Sequence, residues 1–336
     1  MCGQDGELPL VPYRTPHCLQ PNPSASNGEV VVERFPLTYE GYAYKNGHIA
    51  YVKGRPPAPL VLVHPNYAGL KQFDIDQACF LAKVGYVGLA CDLYKEVPEY
   101  TYEDRNPSKD RSSKEARDLQ RRHGKGAFEA MQGLLVAPKH WRGLMGAYLD
   151  AAQAHPSVRP GLAAAIGYCL GGQCCLEQVR AGHKLQAVVT FHGLLHSRPF
   201  DDLYSPTRRR LTAEEFKKQI DTAPNNYNVD CKVLIENGDH DQEVPQEDIA
   251  EWKEEMDGQG IDWRFNNHAR TPHGFALAPG VISTEYVEAA DRRSTLSMLS
   301  LFQEVWPAFP QYPVESNACG TALGQSIVGA AAFSKL

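Results

Sequence analysis

Apolar positions along this chain gather into short runs, each closed by turn residues and separated by stretches with helical spacing. The runs span 60–63, 86–91, 162–166, 187–191, 233–235 and 262–265, and the helical stretches lie near 72–82, 140–154, 172–181, 246–257 and 285–305. Strands that stay apolar throughout, alternating with helices, predict a mostly parallel sheet covered by helices on both faces. The expected class is therefore α/β. Ligands of such sheets collect at the carboxyl ends of the strands, which is where chemistry is expected. Ahead of the first run, residues 30–35 read as a strand, while 42–45 and 48–52 read as a hairpin closed by Asn46-Gly47. Asn-Gly supplies the two positive-φ positions of a type I′ turn.

Two segments break the rhythm and read as insertions. Residues 95–138 are highly charged, with eight basic and five acidic side chains between Glu103 and Lys125. Residues 197–228 carry Arg208-Arg209-Arg210 and then Thr212-x-x-Glu215, a capping box that predicts a short helix. Each insertion is either a solvated excursion or a lid that could contact an anionic substrate tail. Residues 1–28 are rich in Pro, Ser and Asn and read as an arm; they lack the basic-then-apolar pattern of a signal peptide. Residues 311–336 read as a tail of small residues.

Composition narrows the classes. With 43% hydrophobic and 22% charged residues, the 336-residue chain has the balance of an ordinary globular protein and enough apolar surface for a large core. It contains no run of about 20 apolar residues that would span a bilayer. Thirty-four basic and 40 acidic residues leave a charge of −6, without the basic field of nucleic-acid or anionic-membrane binders, so neither partner is expected. The nine cysteines are odd in number and scattered, with no CxxC pair and no His/Cys cluster at zinc spacing. No disulfide framework and no metal are expected, and a reducing compartment is.

One cysteine stands apart. The apolar run 162–166 leads into Gly167-Tyr168-Cys169-Leu170-Gly171-Gly172 and then a helix-compatible stretch. This is a thiol version of the nucleophile elbow, in which the nucleophile rides a sharp strand-to-helix turn and projects into solvent. Glycine two residues to either side avoids clashes with the neighbouring strand and helix. The following N–H, on Leu170, lies at a helix start where it can stabilise an oxyanion or lower a thiol pKa. Cys174 and Cys175, one to two turns further on, read as core. Gly-x-Ser-x-Gly does not occur in the chain.

A thiol nucleophile needs a base, and the base an orienting carboxylate. Elbow enzymes place them in the order nucleophile, acid, histidine. Downstream, 231–236 runs into Asn237-Gly238-Asp239-His240-Asp241-Gln242-Glu243-Val244-Pro245, and Asp241 falls on the loop where the acid belongs. Thirty-two residues later His273 follows in Thr271-Pro272-His273-Gly274-Phe275. Order, strand-end position and spacing single out His273 among the twelve histidines. His64, His192 and His240 also fall near strand ends and read as pocket-lining.

Gly-Tyr-Cys-Leu-Gly-Gly, the Gly-Asp-His-Asp-x-x-Val-Pro loop, the His-Gly-Phe turn and Cys91-Asp92-Leu93-Tyr94 together resemble the dienelactone hydrolase family over about residues 30–310. The resemblance implies an α/β-hydrolase fold over 29–310 and a Cys169–His273–Asp241 triad that opens lactones or esters without a cofactor. It also implies that the Leu170 and Tyr67 N–H groups form the oxyanion hole. Asn66, His192 and Tyr94 are expected to line the substrate pocket. Two positions depart from the family pattern. Asn66 stands where a glutamate controls the resting thiol, and Leu277 stands where an arginine binds a substrate carboxylate. A less anionic or larger acyl compound than dienelactone is therefore expected. The alternatives are an acyl thioesterase, with Arg208–Arg210 on a phosphate-bearing carrier, and a non-catalytic ligand-binding scaffold.

The chain ends in Ser334-Lys335-Leu336. That tripeptide is the address read by the peroxisomal import receptor at a free carboxyl end, so a peroxisomal location is expected, and otherwise a cytoplasmic one.

Overall fold

A computed structural model of the chain describes residues 19–22, 28–105, 112–196, 198–203, 205–219, 223–278 and 286–316. Eight strands form the central sheet. In chain order they are β2 (Val30–Arg34), β5 (His48–Val52), β6 (Ala58–His64), β7 (Val87–Ala90), β8 (Val158–Tyr168), β9 (Ala187–Phe191), β10 (Lys232–Gly238) and β11 (Trp263–His268). Their spatial order is β11-β10-β9-β8-β6-β7-β5-β2. The six strands from β7 to β11 run parallel, and β5 is antiparallel to both of its neighbours, β7 and β2. This is the mostly parallel sheet expected.

The helices cover both faces. α1 (Gln72–Lys83) and α7 (Glu288–Val305) pack on one; α2 (Lys114–Leu135), α3 (Pro138–Gln153), α4 (Leu170–Arg180) and α6 (Gln246–Gly258) pack on the other. Along β6, Leu60 and Leu62 enter one apolar cluster while Val61 and Val63 enter the opposite one. Burial on both faces is why the run is continuously apolar rather than alternating. The helix α5 (Ala213–Gln219) opens at the expected capping box. The Glu215 N–H donates to Thr212 Oγ1 at 3.2 Å, and the Thr212 N–H donates to the Glu215 carboxylate at 2.8 Å.

The hairpin expected at Asn46-Gly47 lies elsewhere. Strands β3 (Leu37–Tyr39) and β4 (Tyr42–Tyr44) pair with each other, and the turn between them is Glu40-Gly41, both at positive φ. β5 instead joins the main sheet, and Gly47 accepts a hydrogen bond from the Phe35 N–H. A third pairing joins β1 (Leu19–Pro21), from the expected arm, to β12 (Val314–Ser316), from the expected tail.

Every loop that carries an expected site residue leaves the same edge of the sheet. Tyr67 follows β6, Tyr94 follows β7, Cys169 follows β8, His192 follows β9, Asp241 follows β10 and His273 follows β11.

Candidate active site

β8 ends at Tyr168 and α4 begins at Leu170, so one residue, Cys169, makes the turn. Its φ of 56° and ψ of −116° lie in a region that non-glycine residues rarely occupy. Such a conformation persists only where its surroundings over-determine it. Here the Cys169 N–H donates to the Phe191 carbonyl at 3.1 Å, and its carbonyl accepts from Gly172 at 3.0 Å and Leu194 at 3.1 Å. The flanking glycines are sterically required. A Cβ on Gly167 would lie 1.9 Å from the Gly171 carbonyl oxygen, and one on Gly171 would lie 2.1 Å from that of His64. Cys169 keeps 7% of its surface, while Cys174 and Cys175 keep none and belong to the core, as expected.

The acid and base loops are stitched together. The His240 N–H donates to the Thr271 carbonyl at 3.0 Å, and the Asp239 N–H to that of His268 at 2.9 Å. Gly238 permits this approach, since a Cβ there would lie 2.3 Å from the Thr271 oxygen. His273 Nδ1 donates to both oxygens of Asp241, at 2.8 and 3.0 Å, and the buried carboxylate also accepts the Glu243 N–H at 2.9 Å. A carboxylate only accepts, so Nδ1 carries the proton and Nε2 is left for the thiol. His273 and the Cys169 side chain are within hydrogen-bonding reach. Burial works against a charged ring. The charge of Cys169, the hydrogen bonds to Asp241 and Cys169, and the Asp241 charge outweigh it and lift the His273 pKa from 6.5 to about 10.

Leu170 occupies the first position of α4, where no intrahelical acceptor exists for its N–H. Neither that group nor the Tyr67 N–H donates a backbone hydrogen bond among the described residues. Asn66 is buried; its Oδ1 accepts the Ala68 N–H at 3.0 Å and Nδ2 has no partner. Tyr94 is buried and its hydroxyl donates to the Tyr67 carbonyl at 2.7 Å, fixing the backbone after β6. His192, fully buried, packs edge-on to His273 with ring centroids 5.0 Å apart. Burial, then the charge of His273, drives the His192 pKa well below the ordinary imidazole value, so it backs the base as a neutral ring.

His64 is buried and bonds Gln178 at 2.8 Å, while the His240 side chain is 64% exposed. Leu277 is buried in the core. A cavity of ≈ 420 Å³ between α3, α4, α5 and α6 is lined by Trp141, Gln173, Phe216 and their neighbours, and by none of Cys169, Asp241 or His273.

Three charged side chains near the site escaped the sequence reading. Lys71, just ahead of α1, is buried; burial lowers its pKa, while the charges of Asp74 and Cys169 oppose that. Asp74 is fully buried, accepts the Lys71 N–H at 2.8 Å and has its pKa raised by burial to about 7. Arg105, in the first insertion, is fully buried against Asp92 at 2.6 Å and donates to the Tyr94 carbonyl at 3.2 Å. Arg105 is read as surface from sequence because its partner Asp92 is brought to it only by the fold.

The two insertions meet. Gln132 of α2 exchanges two hydrogen bonds with the backbone of Phe200, at 3.0 and 3.2 Å. Phe128, one turn earlier, packs on Tyr67 with centroids 5.1 Å apart. One insertion therefore touches the oxyanion loop and holds the other.

A mostly parallel eight-stranded sheet, an elbow at a strand's carboxyl end, and acid and histidine on the next loops define the α/β-hydrolase class. The dienelactone hydrolase family model matches residues 46–306, and the chain belongs to that family of ester and lactone hydrolases. Among solved structures it is similar to one named m3DLH, at 27% identity and TM-score 0.59 over 83% of this chain and 99% of that one. It is also similar to a dienelactone hydrolase-like promiscuous phosphotriesterase from metagenomic libraries, at 26% identity and TM-score 0.56 over 84% and 100% of the two chains. An uncharacterized protein of Caenorhabditis elegans is 25% identical over 167 residues, 48% of this chain and 90% of that protein.

Proposed function

We propose that the protein hydrolyses a small-molecule carboxylic ester or lactone through Cys169, His273 and Asp241 by way of an acyl-thioester. The observation that carries this reading is the His273 ring, joined to Asp241 on one nitrogen and facing a thiol on a strained bend on the other. With Asn66 in place of a carboxylate, His273 itself takes the Cys169 proton. The thiolate attacks the carbonyl carbon, and the carbonyl oxygen becomes an oxyanion held by the Leu170 and Tyr67 N–H groups. Removing one such donor typically costs about 10²–10³ in rate. The carbon–oxygen bond to the leaving group then breaks, and His273 protonates the departing alkoxide. Water, deprotonated by His273, attacks the thioester and releases the acid and the thiol. Cys169→Ala is expected to abolish hydrolysis of a chromogenic ester with an unaltered circular-dichroism spectrum. Undiminished turnover in that variant overturns the assignment.

We further propose that Ser334-Lys335-Leu336, which lie outside the described residues, direct the protein to peroxisomes. A fluorescent protein fused ahead of the intact carboxyl end should become punctate with peroxisomal markers. Deleting the three residues should leave it diffuse, and puncta that survive the deletion refute the signal.

A further inference from the structure

The three consecutive arginines of the second insertion diverge. Arg209 forks onto Glu215, with N–H···O distances of 2.7 and 2.8 Å. Arg208 stands over the Phe200 ring, 5.4 Å from its centroid. Arg210 takes another direction. Its backbone bridges Phe200, and the next N–H, on Leu211, donates to the Pro199 carbonyl at 2.9 Å. The Arg210 guanidinium lies 4.9 Å from the Phe200 centroid and donates once, through Nη1, to the Arg198 carbonyl at 3.3 Å. Phe200 is itself clamped by Gln132, so the platform under the cation is fixed.

This guanidinium stands at the rim of the catalytic cluster. Its Nη2 is 3.9 Å from the Glu243 carboxylate, and Glu243 is the residue whose N–H caps Asp241. Burial lowers the Arg210 pKa, while the charges of Glu243, then Asp248 and Cys169, oppose that. A contact of 3.9 Å to a side chain that is 58% exposed is long for a charge-assisted hydrogen bond, which needs about 2.7–2.9 Å. The Nε and Nη2 donors make no hydrogen bond among the described residues, whereas Arg198 alongside is engaged by Glu251 at 3.1 Å. A planar fork that is fixed in place and mostly unengaged, beside a reacting centre, is suited to a carboxylate or phosphate.

We propose that Arg210 is a specificity-determining residue that grips an anionic group on the alcohol portion of the ester or lactone. The side of the substrate follows from the chemistry. His273 must protonate the departing alkoxide, so the leaving group lies against His273 and the Asp241–Glu243 loop, and the Arg210 guanidinium faces the Glu243 side chain of that loop. The proposal rests on the thiol-hydrolase reading above.

The test compares the native enzyme with Arg210→Gln and Arg210→Lys on four acetate or succinate esters. These are 4-nitrophenyl acetate, 4-acetoxybenzoate, 4-acetoxyphenyl phosphate and mono-4-nitrophenyl succinate. In R210Q, kcat/KM for the esters with an anionic leaving group should fall about 10- to 100-fold, the worth of one or two charge-assisted hydrogen bonds, mostly through KM. R210K should recover part of the loss. The neutral acetate, and the succinate with its charge on the acyl side, should stay within about twofold of native, which also shows that the variant is folded. Whichever of the benzoate and phosphate esters is affected more identifies the anion. Equal losses on all four esters, or no loss on the anionic-leaving-group pair, overturn the proposal. A separate readout keeps it distinct from the triad. Titrating 4-hydroxybenzoate into C169A and into C169A,R210Q measures anion binding with no turnover, and the second should bind about 10-fold or more weakly. Equal binding overturns the proposal even if Cys169 proves to be the nucleophile.

Discussion

Replacing Cys169 with alanine removes the sulfur that faces His273, and the imidazole should report that loss directly. In the native protein, burial disfavours the imidazolium. The charge of Cys169 is the largest contribution on the other side, ahead of the hydrogen bonds to Asp241 and Cys169 and the Asp241 charge. At 1.36 kcal/mol per pH unit, the interval from 6.5 to about 10 amounts to about 5 kcal/mol in favour of the protonated ring. The His273 side chain is 18% exposed, so solvent screens little of it. In the variant the burial penalty stays and the largest opposing contribution is gone, so the midpoint should drop from about 10 back toward 6.5. The ring nitrogen chemical shifts of His273, followed by NMR through the neutral and alkaline range, read this out. An unchanged midpoint refutes the reasoning, because it assigns the whole effect to Asp241. A stability consequence follows with a definite sign. Folding raises this pKa, so its contribution is complete below 6.5 and is lost as pH rises through about 10. The stability gap between native and C169A, measured by urea unfolding, should therefore narrow across that window.

Asp241→Asn leaves the packing but puts an N–H donor where a carboxylate oxygen accepted, which favours the wrong tautomer of His273; kcat should fall by about 10⁴, as for the aspartate of a serine triad, with KM little changed. Arg105→Met strands the Asp92 carboxylate in the core and should cost about 3–5 kcal/mol in urea unfolding, whereas adding Asp92→Asn should recover most of it. A double variant no more stable than R105M would show that the ion pair is not the source. Gly171→Ala places a Cβ 2.1 Å from the His64 oxygen and 2.8 Å from that of Pro65, both backbone. It should cost about 1–3 kcal/mol and lower kcat by displacing the Leu170 N–H, and a variant with native unfolding and native rate would contradict that.

What could be read from the chain beforehand depended on how local each cause is. The elbow was legible because its glycines answer contacts within a few residues of Cys169, and sterics of that range are written in adjacent letters. The sheet was legible because burial on both faces leaves unbroken apolar runs. The hairpin was misplaced because Asn46-Gly47 and Glu40-Gly41 are both turn-competent, and the choice between them was made by β5 pairing with β7, forty residues away in sequence (His48 with Ala90). Arg105 was invisible for a related reason. A long cationic side chain looks solvated until the carboxylate it meets is known, and Asp92 is brought to Arg105 only by the fold. His64 failed in the opposite sense, since a strand-end position points to a pocket but its ring turned to Gln178 on α4.

The short ladder between β1 and β12 sets Leu19 opposite Ser316, so the first and last described strands lie side by side. The topology is thus nearly circular. A brief linker joining those ends, with new ends opened at a solvent-facing turn such as Glu40-Gly41, would yield a permuted enzyme with the same sheet.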